Sequence, residues 1–64
     1  MSEYTQIMAR ALRLRAQANR LEADAILKTD DRTIDPDKMM ELRNDLIIKA
    51  DSMDDVAGEL ERGQ

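Results

Sequence analysis

The 64-residue sequence has no cysteine, no histidine, no tryptophan, no phenylalanine and a single tyrosine. These absences exclude a disulfide scaffold, a zinc site built from cysteine and histidine, a histidine-based triad and a thiol nucleophile. With only two glycines, the chain also cannot form a glycine-rich phosphate loop. The remaining hydroxyl groups lack a base, so we expect no enzymatic activity, no metal and no cofactor.

The chain also has few large apolar residues, because Leu, Ile, Val and Phe together number only 13. Eight alanines and five methionines supply most of the other apolar surface, and both residue types favour helix. A single domain below about 70–80 residues usually needs an extra staple. Because disulfides and zinc are excluded, self-association is the staple that the composition predicts.

The charge is modest and acidic, with 10 basic and 14 acidic residues and a net charge of −4. The sequence contains no apolar run long enough to span a membrane and no secretory signal pattern. We therefore expect a cytoplasmic protein that does not enter membranes, in a bacterial or a phage-infected host cell.

Helix 1 is predicted over residues 3–29, with Ser2 as the N-cap. A seven-residue repeat runs through it, with Tyr4 and then alanines at heptad position a, and large apolar residues at position d until Lys28 ends the pattern. We call this the leucine stripe: Tyr4, Ile7, Ala11, Leu14, Ala18, Leu21 and Ala25. Alternation of small and large residues allows close approach of a neighbouring helix.

A second stripe lies beside the first on helix 1 and comprises Met8, Leu12, Ala16, Ala23 and Ile26, with Asn19 interrupting it. The two stripes leave a narrow polar face of Gln6, Arg10, Arg13, Gln17, Arg20 and Asp24. A helix that is apolar over so wide an arc needs more than one packing partner.

Residues 30–35 are predicted to form a turn, followed by helix 2 over about 36–61. Asp35 is the expected N-cap and Pro36 the first helical residue, while Ile34 and Met39 have the spacing of a hydrophobic staple. The spacing in helix 2 predicts one apolar stripe, formed by Met39, Leu42, Leu46, Ala50, Met53, Val56, Ala57 and Leu60. Gly58 either interrupts the last turn or permits close backbone approach, and Gly63 is expected to end the helix.

Two helices joined by a short turn should lie antiparallel in a single helical-hairpin domain spanning 1–64. This arrangement sets the basic start of helix 1 beside the acidic end of helix 2. The hairpin is expected to dimerise into a four-helix bundle or a coiled-coil-like helical dimer. The predicted self-association core is Ile7, Ala11, Leu14, Ala18, Leu21, Ala25, Met39, Leu42, Leu46, Ala50, Met53 and Leu60.

The alanine-and-leucine heptads, the hairpin and the acidic tail together resemble the Rop-type RNA-binding helical hairpins. The resemblance implies an antiparallel four-helix bundle of two hairpins, with RNA held by polar residues of the first helices. This sequence departs from that family on the RNA-binding face, where it has arginines in place of lysines and no aromatic residue.

Three sets of residues are candidate sites. The acidic turn, with Asp30, Asp31, Asp35 and Asp37, fails the EF-hand pattern in both registers and is assigned to turn formation and capping. Arg10, Arg13 and Arg20 share one face of helix 1, where they either bind RNA or DNA phosphates or pair with acids of helix 2. Met40, Ile47 and Ile48 form either further dimer core or a patch for another protein.

The sequence therefore predicts a small non-enzymatic regulatory or accessory protein of the kind that phages and plasmids encode. It would act by self-association and by binding a protein partner through a rigid helical face. The alternative is an RNA- or DNA-binding regulator that uses Arg10, Arg13 and Arg20.

Overall fold

A computed structural model describes residues 2–29 and 33–63 and shows a helical hairpin. Helix α1 spans Glu3–Lys28 and helix α2 spans Pro36–Arg62, and every regular element in the described residues is helical. The two helices pack against each other in a body of 48 × 13 × 11 Å. The predicted all-α hairpin is therefore confirmed, whereas part of the predicted turn, residues 30–32, lies outside the described residues.

Both helices begin at the capping residues that the sequence indicated. The Ser2 hydroxyl accepts a hydrogen bond from the Thr5 N–H at 3.1 Å. An oxygen of the Asp35 carboxylate accepts one from the Asp37 N–H at 3.0 Å. Each cap satisfies a backbone donor that has no partner within the helix, so short local signals set both starts. Gly63 ends α2, as expected, and its N–H donates to the carbonyl of Glu59.

The contact surface between α1 and α2, which we call the seam, has alanine at its centre. The fully buried residues of the described chain are Ala9, Ala16 and Ala23 from α1 with Ala50 and Ala57 from α2, all between 0 and 2 % exposed. Within each helix these alanines are seven residues apart, which is the period of a helix that supercoils with a neighbour. Because alanine ends at Cβ, the two backbones can approach closely along the whole seam.

Larger side chains flank the alanines and are only half-buried. On α1 these are Thr5, Met8, Leu12, Asn19 and Ile26, and on α2 they are Met39, Arg43, Leu46, Ile47, Met53, Asp54 and Leu60. Arg43 continues the series of Ala57 and Ala50 toward the turn, and its Nε atom is buried without a hydrogen-bond partner. Toward the turn, an arginine therefore takes the seam position that alanine holds in the rest of α2.

The predicted stripe of α2 differs from the seam at two positions. Leu42 is 56 % exposed and Val56 is 43 % exposed, so both lie at its outer edge. The helix instead places Arg43, one residue after Leu42, against α1, while Ala57, which the predicted stripe already included, is fully buried. Leu42 and Val56 each directly precede a seam residue, and a rotation of about 100° per residue carries them to the outer edge.

Gly58 does not interrupt α2, because the helix continues through it to Arg62. A Cβ placed there would meet only the guanidinium end of Arg62, at 3.3 Å. We expect Gly58→Ala to raise the free energy of unfolding by about 0.5–1 kcal/mol, since alanine restricts the unfolded chain and favours helix. Urea unfolding followed by circular dichroism measures this change, and a loss of stability would show that the backbone needs glycine.

Neither helix, over the described residues, contains a stretch that is both long and apolar enough to cross a lipid bilayer.

Candidate interaction surfaces

The leucine stripe lies on the side of α1 that faces away from α2. Leu14 and Ala18 are each two residues from the buried Ala16, one before it and one after it. Two residues correspond to a rotation of about 200°, so both lie roughly 160° from the seam. The same relation holds along the helix, where Leu21 and Ala25 flank Ala23. The second stripe therefore forms the seam, and the leucine stripe is left without a partner in the hairpin.

The large residues of the leucine stripe are well exposed. Ile7 and Leu14 are each 59 % exposed and Leu21 is 64 % exposed, while Tyr4 at the start of the helix is also exposed. Single exposed apolar residues are common on protein surfaces, but a continuous apolar row usually marks an interaction site. The leucine stripe is such a row, and it extends along most of α1.

The hairpin exposes more surface than a compact protein of its mass. Its accessible area is 5069 Å². A typical folded monomer of 7.3 kDa exposes about 4,200 Å², so the excess is roughly 900 Å². Such an excess is comparable with the ~800 Å² that each partner buries in a standard protein interface.

A ladder of ion pairs joins the helices along one edge of the seam. Arg13 pairs with Glu61, and seven residues further along α1, Arg20 pairs with Asp54 at 2.7 Å and with Asp51 at 3.0 Å. Arg13 and Arg20 are seven residues apart on α1, and their partners Glu61 and Asp54 are seven residues apart on α2. The partners follow in reverse order along the chain because the two helices are antiparallel. The predicted meeting of the basic start of α1 and the acidic end of α2 is confirmed.

The ion pairs shift the pKa values of Arg13, Arg20 and Glu61 in the directions that pairing requires. The hydrogen bond from Arg13 lowers the pKa of Glu61 below its ordinary value of 4.5. The hydrogen bond to Glu61 raises the pKa of Arg13, and those to Asp54 and Asp51 raise the pKa of Arg20. All these groups remain solvated, so the ladder orients the hairpin more than it stabilises it.

The lowered pKa of Glu61 predicts a dependence of stability on pH. A carboxylate with a lower pKa in the folded state stabilises the fold above its unfolded pKa, and this contribution is lost as the pH falls through the folded value. We expect Glu61→Gln to lower the thermal midpoint at pH 7, and the gap from the unmodified protein to close below pH 4.5. Glu59→Gln, which removes an exposed carboxylate outside the ladder, is the control. A gap that stays constant with pH would contradict the Arg13–Glu61 pairing.

The structure separates the three arginines of the predicted nucleic-acid face. Arg13 and Arg20 engage carboxylates of α2, while Arg10 forms no ion pair with the described residues. Pairing with carboxylates of the same chain leaves Arg13 and Arg20 less free to bind phosphates. Of the three arginines, Arg13 and Arg20 therefore form the intramolecular ion pairs that were one of the two alternatives for this face.

The candidate partner patch on α2 spreads over two sides of the helix. Ile48 is 64 % exposed and points outward, Met40 is 45 % exposed, and Ile47 is half-buried. Ile47 and Met40 are seven residues apart and continue the edge of the seam that carries Glu61 and Asp54. This edge is therefore charged toward the chain ends and apolar toward the turn.

No cluster of acidic residues suited to holding a metal ion occurs in the described parts of the chain. Of the acidic turn, Asp35 caps α2, Asp37 lies in its first turn, and Asp30 and Asp31 lie outside the described residues. Comparison of the chain with protein-family models, with curated proteins and with solved structures gave no match. The surfaces described above are therefore the basis for any functional proposal.

Proposed function

We propose that the protein is a small, non-enzymatic regulatory or accessory protein that acts as a self-associating helical interaction module and binds another protein. The observation that carries this proposal is the exposed leucine stripe, which has the heptad pattern of a helix–helix core. The excess accessible area of the hairpin supports it. Self-association would provide the staple that a chain of this size needs.

The homodimer in this proposal contains four helices, two from each hairpin. Sedimentation equilibrium at protein concentrations between about 1 and 100 µM tests the self-association. This range brackets a dissociation constant of about 10 µM, which is a moderate affinity for a dimer. We expect the mass to approach twice the chain mass of 7.3 kDa as the concentration rises. A folded monomer throughout this range would contradict the proposal.

The protein partner would bind the apolar part of α2, where Ile48 and Met40 are both exposed. Its binding would block other contacts of the partner sterically, through a rigid helical face. This step is tested by affinity capture from the host with the unmodified protein and with Ile48→Asp. Gln6→Asp, which changes an exposed residue of α1, is the control. A protein retained by the control and lost with Ile48→Asp is the expected result, and equal capture by all three would contradict it.

Nucleic-acid binding through Arg10, Arg13 and Arg20 is the competing function. The ion pairs of Arg13 and Arg20 weigh against it, because binding phosphate would require those pairs to break. Titration of labelled RNA and DNA at low salt distinguishes the two functions. An affinity that falls steeply with salt and disappears in the triple alanine variant would support the competing function instead.

A further inference from the structure

We propose that the leucine stripe of α1 pairs with the same stripe of a second copy in antiparallel orientation. The two α1 helices would then form the centre of the dimer, with one α2 helix on each outer side. The inference rests on the self-association in the proposed function and adds its surface, direction and register. Three observations support it: the pattern of the stripe, the charges along its edges, and the area that the hairpin leaves exposed.

The pattern of the leucine stripe repeats the one that already forms the seam. Alanines seven residues apart line the centre of the seam, and Ala11, Ala18 and Ala25 provide the same series on the opposite side of α1. Leu14 and Leu21 alternate with them as large residues that fill the space beside the alanines. A second helix with this pattern can therefore approach α1 as closely as α2 does.

The position of the stripe determines where the second copy lies. The seam and the leucine stripe are about 160° apart around α1, so a helix on the stripe does not meet α2. In a four-helix bundle with a square cross-section, each helix has two neighbours, and these lie about 90° apart around its axis. The wider angle favours a central pair of α1 helices over such a bundle.

Charges along the edges of the stripe fix the direction of pairing. Arg10 and Asp24 lie on one edge, while Arg15 and Glu22 lie on the other. In an antiparallel pair equivalent edges face each other across the two-fold axis. When Ala18 faces Ala18 of the copy, Arg10 lies beside Asp24 of the copy and Arg15 beside Glu22 of the copy. Two-fold symmetry repeats both pairs, which gives four complementary contacts.

The same register also matches the core residues by size. Ala11 then lies opposite Ala25 of the copy, and Leu14 lies within one residue, about 1.5 Å along the axis, of the level of Leu21 of the copy. In a parallel, in-register pair, opposite edges meet, and Arg10 lies beside Arg15 of the copy, twice over. Like charges at facing positions are destabilising, so the edge charges favour the antiparallel dimer.

The exposed area of the hairpin is consistent with the binding of a second hairpin along the leucine stripe. The excess over a compact monomer is roughly 900 Å², against the ~800 Å² that each partner contributes to a standard interface. A second α1 helix of 26 residues is about 39 Å long and extends along the whole stripe.

Engineered disulfides test the direction, because the chain has no cysteine of its own. In the antiparallel dimer the two copies of residue 11 are about 21 Å apart, which is too far for a disulfide. We therefore expect that Ala11→Cys and Ala25→Cys chains do not cross-link alone under mild oxidation, whereas an equimolar mixture does. Ala18→Cys should cross-link with itself. A dimer in which Ala11→Cys cross-links with itself would show parallel pairing and overturn the inference.

Charge reversal gives an independent readout in solution. We expect Arg10→Asp to weaken the dimer about three- to tenfold, and Arg10→Asp combined with Asp24→Arg to restore it. In a parallel dimer Arg10→Asp would strengthen association instead, because it would face Arg15. A dimer that neither forms these cross-links nor responds to the charge reversal uses another surface. That outcome refutes the antiparallel pairing of the leucine stripes but not the proposed self-association. A protein that remains monomeric refutes the proposed self-association as well.

Discussion

Leu14→Asp is expected to weaken self-association more than about 100-fold. Leu14 is 59 % exposed in the single hairpin, so the substitution leaves the seam intact. In the proposed dimer, the change would place a carboxylate beside Leu21 of the copy at two symmetric positions. Burial of an unpaired charge costs several kcal/mol, which is more than enough for a loss of this size. Sedimentation equilibrium measures the mass, and circular dichroism follows the thermal midpoint.

The control for Leu14→Asp is Asn44→Asp, which adds the same charge at an exposed position of α2. The control should retain the mass of the unmodified protein at each concentration. The thermal midpoint of Leu14→Asp should fall as well, because the monomer loses the contribution of association to its stability. An unchanged mass and midpoint for Leu14→Asp would show that the leucine stripe is not an interface.

Ala50→Leu is expected to destabilise the hairpin by about 1–3 kcal/mol. Ala50 is 0 % exposed and lies in the part of the seam where alanines of both helices meet. A leucine there must push the helices apart or adopt a strained rotamer, as overpacked cores do. A domain of this size has only about 3–5 kcal/mol from its core, so a loss of this size removes a large share of its stability. Urea unfolding followed by circular dichroism measures the loss.

Ser52→Leu is the matched control, since it adds a leucine to the exposed side of the same helix two residues away. Its free energy of unfolding should stay within about 0.5 kcal/mol of the unmodified protein. Equal stability of the two variants would mean that the seam has room for a larger side chain. That result would contradict the close approach of α1 and α2 at Ala50.

The helices and their direction could be predicted because their signals are local. Ser2 and Asp35 each accept a hydrogen bond from a backbone N–H within three residues, and Pro36 cannot lie deep inside a helix. The unequal distribution of charge was also visible in the sequence. It agreed with the antiparallel arrangement that the short turn predicted, and Arg13 and Arg20 support that arrangement through their ion pairs with α2.

The candidate sites were harder to predict because each depends on the neighbouring helix. Spacing placed Arg10, Arg13 and Arg20 on one face, but their distances to acids of α2 depend on how the helices pack. Leu42 and Val56 also fit the apolar period of α2, yet both are exposed, because the residue after each of them faces α1 instead. The repeat of Ala50 and Ala57 at the spacing of Ala16 and Ala23 was the available signal for the true seam.

The sequence by itself determined two amphipathic helices, their N-terminal boundaries, the hairpin and the meeting of basic and acidic ends. It also placed two apolar stripes on α1. Only the tertiary structure decided which stripe faces α2, because both are apolar and periodicity places residues on a face without choosing its partner. The stripe with Ala16 and Ala23 packs in the seam, where it meets Ala50 and Ala57 while Arg20 reaches Asp54. That choice leaves Leu14 and Leu21 exposed on the opposite side of α1.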